Sequence, residues 1–326
     1  MKVLILGGAG MIGQKLAHDI TKHGLGGDPQ PDMILHDIVE PHWAGAGYPE
    51  LLTGNIAANE TAETLAALKP DVIFFLAAIV SSDAEANFKE GWDVNASGAW
   101  NLLEALRAQH ELSGKTYCPK IIFTSSLAVF SGPYPDAIGD DFLNAPQSSY
   151  GAQKSVVELL IADYSRKGYV DGLSIRLPTI CVRPGKPNLA ASSFYSGIIR
   201  EPLNGQQAIL PVPDTLRHWF ASPQSAVGFL KHAAELDFNR LEGRRALNLP
   251  GVSCTVADQI EALRQIAGND VVKLIKTVPN PDIANIVMGW PHNFNPERAI
   301  RLGFRADKDF AGIIQSYIDT EMTDSR

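Results

Sequence analysis

Apolar positions in this chain follow two rhythms. Residues 2–6, 33–37, 71–78, 120–124 and 173–177 are short, nearly solid apolar runs, and 50–56 is a weaker one. A run of that length without alternation fits a strand buried on both faces, as in a parallel sheet. Between the runs the apolar residues recur at helical spacing. Ile12, Leu16, Ala17 and Ile20 share one face, 61–68 makes a short helix, and 150–167 a longer one. Residues 87–110 read as a single long helix striped by Val94, Leu102, Leu103, Ala105 and Leu106. Asn95 lies in that stripe, where a polar side chain needs a buried partner or a functional role. Strands alternating with helices predict an α/β fold, a Rossmann-type doubly wound parallel sheet. After 178 the pattern thins to helices at 222–236, 256–267 and 309–321 and a strand at 245–249. The expected division is a dinucleotide-binding domain over 1–177 and a smaller C-terminal substrate lobe over 178–326, with about 214–250 returning to the first domain.

Composition narrows the partners. The 326 residues are 45% hydrophobic and 20% charged, with a formal net charge of −8 and no basic run. That argues against nucleic acid and anionic membranes, which select for clustered Lys and Arg. No apolar run approaches the ~20 residues of a spanning helix. The N-terminus runs straight into a glycine turn and does not read as a signal peptide, so a cytoplasmic location is expected. Cys118, Cys181 and Cys254 are odd in number and far apart, which fits free thiols. The eight histidines lack metal-ligand spacing, and no metal is expected.

The first strand ends in Gly7-Gly8-Ala9-Gly10-Met11-Ile12-Gly13, and a helix follows at once. Strand, glycine turn and helix together form a dinucleotide site. Gly7 permits the tight turn, Gly10 lets the backbone approach a pyrophosphate, and Gly13 lets helix and strand pack closely. The helix start at Met11 and Ile12 then faces the phosphates with unpaired N–H groups. Asp37 closes the second strand. A carboxylate there binds both ribose hydroxyls of NAD and repels the 2′-phosphate of NADP, unless it serves only as a cap. Asn55 and Ile56 leave the third short strand. Leu76, Ala77 and Ala78 end the fourth strand, small enough at the alanines for close approach. Ser81 and Ser82 leave the same sheet edge as loop residues, either contacting substrate or facing water.

Ser126 ends the fifth strand, and Tyr150 follows 24 residues later on a helix capped by Ser148 or Ser149. Tyr150 and Lys154 are four apart, hence on one face. A cation beside a phenol favours the phenolate, which makes Tyr150 a proton acceptor. A solvated Tyr and Lys on a surface helix is the plainer reading. The combination of Gly-Gly-Ala-Gly-Met-Ile-Gly, Leu-Ala-Ala at 76–78, Asn95 with Asn101-Leu102-Leu103-Glu104-Ala105, Ser-Ser-Leu-Ala-Val-Phe at 125–130, Tyr150…Lys154 and Arg298-Ala299…Leu302-Gly303-Phe304 resembles the extended short-chain dehydrogenase/reductase family, the group of sugar-nucleotide epimerases and dehydratases. Phe130 stands where many members have Tyr.

The resemblance implies that Tyr150 takes the substrate hydroxyl proton and that Lys154 supports it and binds the nicotinamide ribose. It also implies that Ser126 hydrogen-bonds the reacting oxygen and that Asn55 and Ile56 meet the adenine, and it adds Asn95, Ser125 and Pro178 to the contacts of an NAD cofactor. A homodimer through the two long helices is common in the family. The run from Pro178 to Pro213 is similar to acid-sugar dehydrogenases within it, which oxidise the 2-hydroxyl of a four-carbon sugar acid such as D-erythronate. Arg183, Lys186, Asn188, Ser192 and Ser193 form a polar, cationic cluster suited to a small hydroxycarboxylate, since the Arg fork binds both carboxylate oxygens. Arg217-His218-Trp219 is a second such patch. Each of these residues could instead be an ordinary surface side chain. An NDP-sugar 4-epimerase and an inactive NAD(H)-sensing protein are the alternatives. The intact Ser126, Tyr150 and Lys154 speak against the second.

Overall fold

The computed structural model describes residues 1–45, 47, 49–185 and 191–322. Its strands are β1 (Lys2–Leu6), β2 (Asp32–Asp37), β3 (Glu50–Thr53), β4 (Val72–Phe75), β5 (Lys120–Ser126), β6 (Asp171–Leu177), β7 (Thr179–Ile180), β8 (Ala208–Leu210), β9 (Arg217–Ala221), β10 (Ala246–Asn248), β11 (Val252–Thr255) and β12 (Ile275–Thr277). Helices α1 (Met11–His23), α2 (Asn59–Ala67), α3 (Ser81–Ala86), α4 (Phe88–Trp92), α5 (Gly98–Leu112), α6 (Ser149–Arg166), α7 (Ser193–Leu203), α8 (Pro223–Glu235) and α9 (Val256–Ala267) connect them.

Seven strands form one parallel sheet in the order β10-β6-β5-β4-β1-β2-β3. β1 lies inside it between β4 and β2, in register with β2 through Leu4↔Ile34 and with β4 through Leu4↔Ile73. The chain winds outward one way from β1 to β3 and the other way from β4 to β6. The direction reverses between β1 and β4, and the crevice beyond the carboxyl ends of those two strands is where such sheets hold ligands. The solid apolar runs are buried as expected, with Val3, Leu4, Ile5 and Leu6 fully covered. Leu4, Ile73, Ile121 and Phe123 of the sheet pack against Leu65 of α2, Leu102 and Leu106 of α5, and Val157 and Ile161 of α6.

The chain divides into two compact units. The first comprises Met1–Val129, Asn144–Arg176 and Val227–Asn248, and the second Phe130–Leu143, Leu177–Ala226 and Leu249–Arg326. The chain passes from the first unit to the second after Arg176, where the expected division fell after residue 177, and two further details differ. The returning segment is 227–248, shorter than 214–250, because what it brings back is part of α8 and the edge strand β10, paired with β6 through Leu247↔Ile175. Residues 130–143 belong to the second unit. There Phe130 packs on Phe142 and Phe294, with ring centroids 5.7 and 6.0 Å apart.

The expected long helix over 87–110 is interrupted. α4 ends at Trp92, Asp93–Ser97 winds as a π-helical turn, and α5 resumes at Gly98. Asn95 sits in the widened turn, and at Gly98 a Cβ would come within 3.1 Å of the Ile56 carbonyl oxygen. Ser81 and Ser82, expected in a loop, form the first turn of α3. In the second unit β11, β9 and β7 form a sheet, β8 pairs with β12, and Tyr195, Ile198, Phe220, Leu263 and Ile313 make the core.

Candidate active site

The glycine turn is built as its spacing predicts. Gly7 has φ +87°, and a Cβ on it would lie 2.8 Å from the Ala77 amide nitrogen, so the turn after β1 is pressed against the exit of β4. A Cβ at Gly13 would overlap the Gly7 carbonyl oxygen, so helix and turn touch backbone to backbone. Gly10 is the exposed N-cap of α1 and offers no side-chain cap to the first N–H groups. Met11 and Ile12 begin the helix there, half-buried. Asp37 closes β2 beside the turn. Its carboxylate accepts the Ala9 N–H at 2.9 Å and the Ile38 N–H at 2.7 Å, which fixes its orientation. An open helix N-terminus, a turn with room only for glycine and an oriented acid one strand away fit a dinucleotide. Asn55 is exposed and accepts the Ala57 N–H at 3.0 Å, while Ile56 is buried. Leu76, Ala77 and Ala78 line the β4 exit half-buried, with the Leu76 amide donating to the Leu6 carbonyl at 2.9 Å.

The start of α6 is fixed by its cap. The Ser148 hydroxyl accepts the Gly151 N–H at 3.1 Å, which settles the cap on Ser148. A Cβ at Gly151 would overlap the Ala128 carbonyl, so this end of α6 is pressed onto the short 3-10 turn that leaves β5 just after Ser126. The Ser126 hydroxyl is half-buried and accepts the Ala128 N–H at 3.1 Å. Tyr150 is half-buried, and Lys154 one turn on is buried. The Lys154 Nζ donates to the Thr124 carbonyl at 2.9 Å, lies 4.6 Å from the Phe123 ring centroid and 5.5 Å from that of Tyr150. Burial pushes the Lys154 amine down from 10.5 to about 7, against the pull of Glu158 in the opposite direction. The surface-helix reading of this pair is therefore excluded for Lys154.

Two expected cofactor contacts have other work. The Ser125 hydroxyl is buried and donates to Glu158, so its side chain faces the interior network and not a ligand. Asn95 is buried too. Its Oδ1 accepts the Ile79 N–H at 2.8 Å, and its Nδ2 donates to the Ile79 carbonyl at 3.0 Å and to Gln153 at 2.8 Å. It pins the backbone leaving β4 and thereby places Ser81 and Ser82, both half-buried. Gln153, Glu158, Asn144 and Arg176 were not singled out by their spacing. The one usable signal was Glu158, a carboxylate eight residues after Tyr150 and so on the same buried face.

The remaining residues belong to the second unit. Pro178 is buried between β6 and β7. The Arg183 backbone is held at both ends, its N–H on the Ser196 hydroxyl at 3.0 Å and its carbonyl on Arg200 at 2.6 Å. Ser192 is the N-cap of α7 and Ser193 its first residue. Lys186 and Asn188 lie outside the described residues. The second polar patch does not form. His218 and Trp219 are core side chains of β9, with His218 stacked on Tyr195 and bonded to Thr179, and the Trp219 indole donating to the Leu249 carbonyl. Burial pushes His218 down to about 3, so it is a neutral core residue. Arg217 donates to the Ser253 carbonyl at 3.1 Å and stands 3.9 Å from Asp258. All three cysteines are free, and no described helix is long and apolar enough to cross a membrane.

A turn with room only for glycine and a Tyr–Lys pair stand at one sheet edge, an arrangement that fits a nicotinamide-dependent oxidoreductase. The chain belongs to the NAD dependent epimerase/dehydratase family, whose model matches residues 3–222. It is similar to the D-erythronate dehydrogenase of Cupriavidus necator, 45% identical over 98% of both chains. It is also similar to that of Haemophilus influenzae, 42% identical over 99% of this chain and all of the other. Among solved structures it resembles a nucleoside-diphosphate-sugar epimerase from Agrobacterium tumefaciens, with TM-score 0.95 and 48% identity over 99% of this chain and 95% of that one. The protein is an enzyme, an oxidoreductase of the dehydrogenase type.

Proposed function

We propose that the protein oxidises the 2-hydroxyl of D-erythronate to the 2-oxo acid. The observation that carries the chemistry is the Tyr150–Lys154 pair, with a buried amine 5.5 Å from the phenol ring. The substrate rests on the two similar D-erythronate dehydrogenases. Bound NAD supplies the hydride acceptor. Tyr150 accepts the substrate hydroxyl proton, and the Lys154 ammonium favours the phenolate that does so. The Ser126 hydroxyl hydrogen-bonds the same oxygen as it becomes a carbonyl. Gly7, Gly10 and Gly13 let the pyrophosphate approach, and Asp37 selects NAD over NADP by repelling a 2′-phosphate. Arg183, with Lys186, Asn188, Ser192 and Ser193, is assigned to the carboxylate and remaining hydroxyls. Arg217, already engaged with Ser253, is a weaker choice.

The enzyme is proposed to be a cytoplasmic homodimer joined through α5 and α6. Trp100 and Leu159 on those helices stay 46% and 72% exposed, apolar side chains that the matching helices of a second copy would cover. The deciding measurement is NADH absorbance with purified protein, NAD and a panel of C3–C5 aldonic acids, with UDP-sugars alongside. NADH formed with D-erythronate above all other acids supports this reading. Interconversion of a UDP-sugar without net NADH replaces it with the 4-epimerase.

A further inference from the structure

Five polar side chains of the first unit meet behind the Tyr150–Lys154 pair. Glu158 stands one turn after Lys154 on α6 and is 4% exposed. Arg176 at the end of β6 grips it with two parallel bonds, Nε to Oε1 at 2.9 Å and Nη2 to Oε2 at 2.7 Å. The Asn144 amide donates to Oε2 at 2.9 Å, and its carbonyl accepts from Arg176 at 2.9 Å. The third arm of Arg176 reaches Asn248 in β10 at 3.1 Å. The Ser125 hydroxyl donates to Oε1. Every oxygen of the carboxylate is therefore occupied, and the group cannot swing.

We propose that Glu158 is a positioning residue of the catalytic centre, whose fixed carboxylate keeps Lys154 as the ammonium and anchors the β5 end that carries Ser126. The inference rests on the proton-acceptor role given to Tyr150. Helix spacing and burial both lead to it. Tyr150, Lys154 and Glu158 are spaced four and four on one helix, so each faces the next. Lys154 is wrapped by the Phe123 ring and the Thr124 carbonyl, a site that discharges an amine unless an anion stands by. Of the charged groups on elements packed against α6, Arg176 is bound to Glu158, Glu104 of α5 to Tyr164 and Arg107, Glu111 of α5 to Lys115, Glu85 of α3 to the Ser149 backbone, and Lys120 of β5 to the Ala234 and Leu236 carbonyls, while Asp83 of α3 and Glu90 of α4 are exposed. Lys89 of α4 and Asp93 of the π-helical turn pair with each other. The pull on Lys154 against burial comes from Glu158. Ser125 and Ser126 are consecutive, so the bond to Glu158 also fixes the strand end next to the reacting hydroxyl.

The test reads tyrosinate ionisation directly, without substrate. Ultraviolet difference titrations of the NAD-loaded enzyme, each corrected by the same protein carrying Tyr150→Phe, are compared for wild type, Glu158→Gln and Glu158→Gln/Arg176→Gln. The double variant strands no Arg176 charge and so guards against a fold lost to it. With Glu158 neutralised, the Lys154 amine, already lowered by burial, falls further, and less ammonium stands beside Tyr150 as the phenol ionises. The midpoint for Tyr150 is expected to rise by about one pH unit in both variants. The acid limb of turnover on D-erythronate is expected to move with it. A wild-type midpoint in the folded double variant overturns the proposal and leaves Glu158 a purely structural ion-pair partner. Absence of turnover in the wild type on every acid would sink the substrate assignment, yet the titration would still decide the role of Glu158.

Discussion

Lys154 is costly where it stands. Its fall from 10.5 to about 7 means the folded state binds fewer protons than the unfolded chain between those values. Stability of the apo protein therefore rises with pH across that window, and the penalty is fully present below it. At ~1.36 kcal/mol per unit the penalty is roughly 4–5 kcal/mol. Lys154→Met is expected to melt higher than wild type at pH 6, with the gap closing as pH climbs toward 10, while turnover is lost. Equal melting temperatures at pH 6 would show that the amine is not desolvated. Tyr150→Phe is the complementary case. It removes one oxygen, so turnover should drop by about 10²–10⁴ as for a lost general base. Isothermal titration should show NAD binding within a fewfold of wild type. Normal turnover in that variant would refute the mechanism.

At the scale of elements, contact is decided by glycine. α1 meets the turn after β1 through Gly13, and α6 meets the turn after β5 through Gly151. Gly13→Ala must push α1 away from the Gly7 carbonyl, and overpacking of this kind costs ~1–3 kcal/mol. We expect a lower melting temperature and at least tenfold weaker NAD binding, measured by fluorescence titration; unaltered NAD affinity would mean the close approach does not shape the cradle. The glycine turn after β1 was legible in the sequence, because glycines between a solid apolar run and a helical stripe mark where strand and helix backbones touch. The π-helical turn at Asp93–Ser97 was not. Its residues continue the helical stripe, and the Asn95 within it bonds Ile79, a partner 16 positions away that no local pattern reveals. The same limit hid the network behind Lys154. Ser125, Asn144, Glu158, Arg176 and Asn248 sit on separate elements, and only their tertiary placement makes them one group. Local pattern reports which face of an element is buried, not which polar side chain it meets there.

The whole molecule is interleaved, not sequential. The first unit takes its last strand, β10, from residues 246–248, after much of the second unit has been laid down. A fragment ending at residue 177 leaves β6 with an unpaired edge and Arg176 without Asn248. Open edges invite association, so that fragment should aggregate or melt without cooperativity on calorimetry. Joining 227–248 to it through a flexible linker should restore a cooperative transition. A well-behaved monomer from residues 1–177 alone would contradict the need for β10.

The late arrival of β10 has a consequence for synthesis. A ribosome that has just passed residue 177 has delivered Ser126, Tyr150, Lys154 and Glu158, every side chain assigned to the chemistry. The partner that steadies Arg176 is still some seventy codons away. The nascent chain therefore carries these side chains well before the ribosome reaches β10, the strand that supplies Asn248 to Arg176.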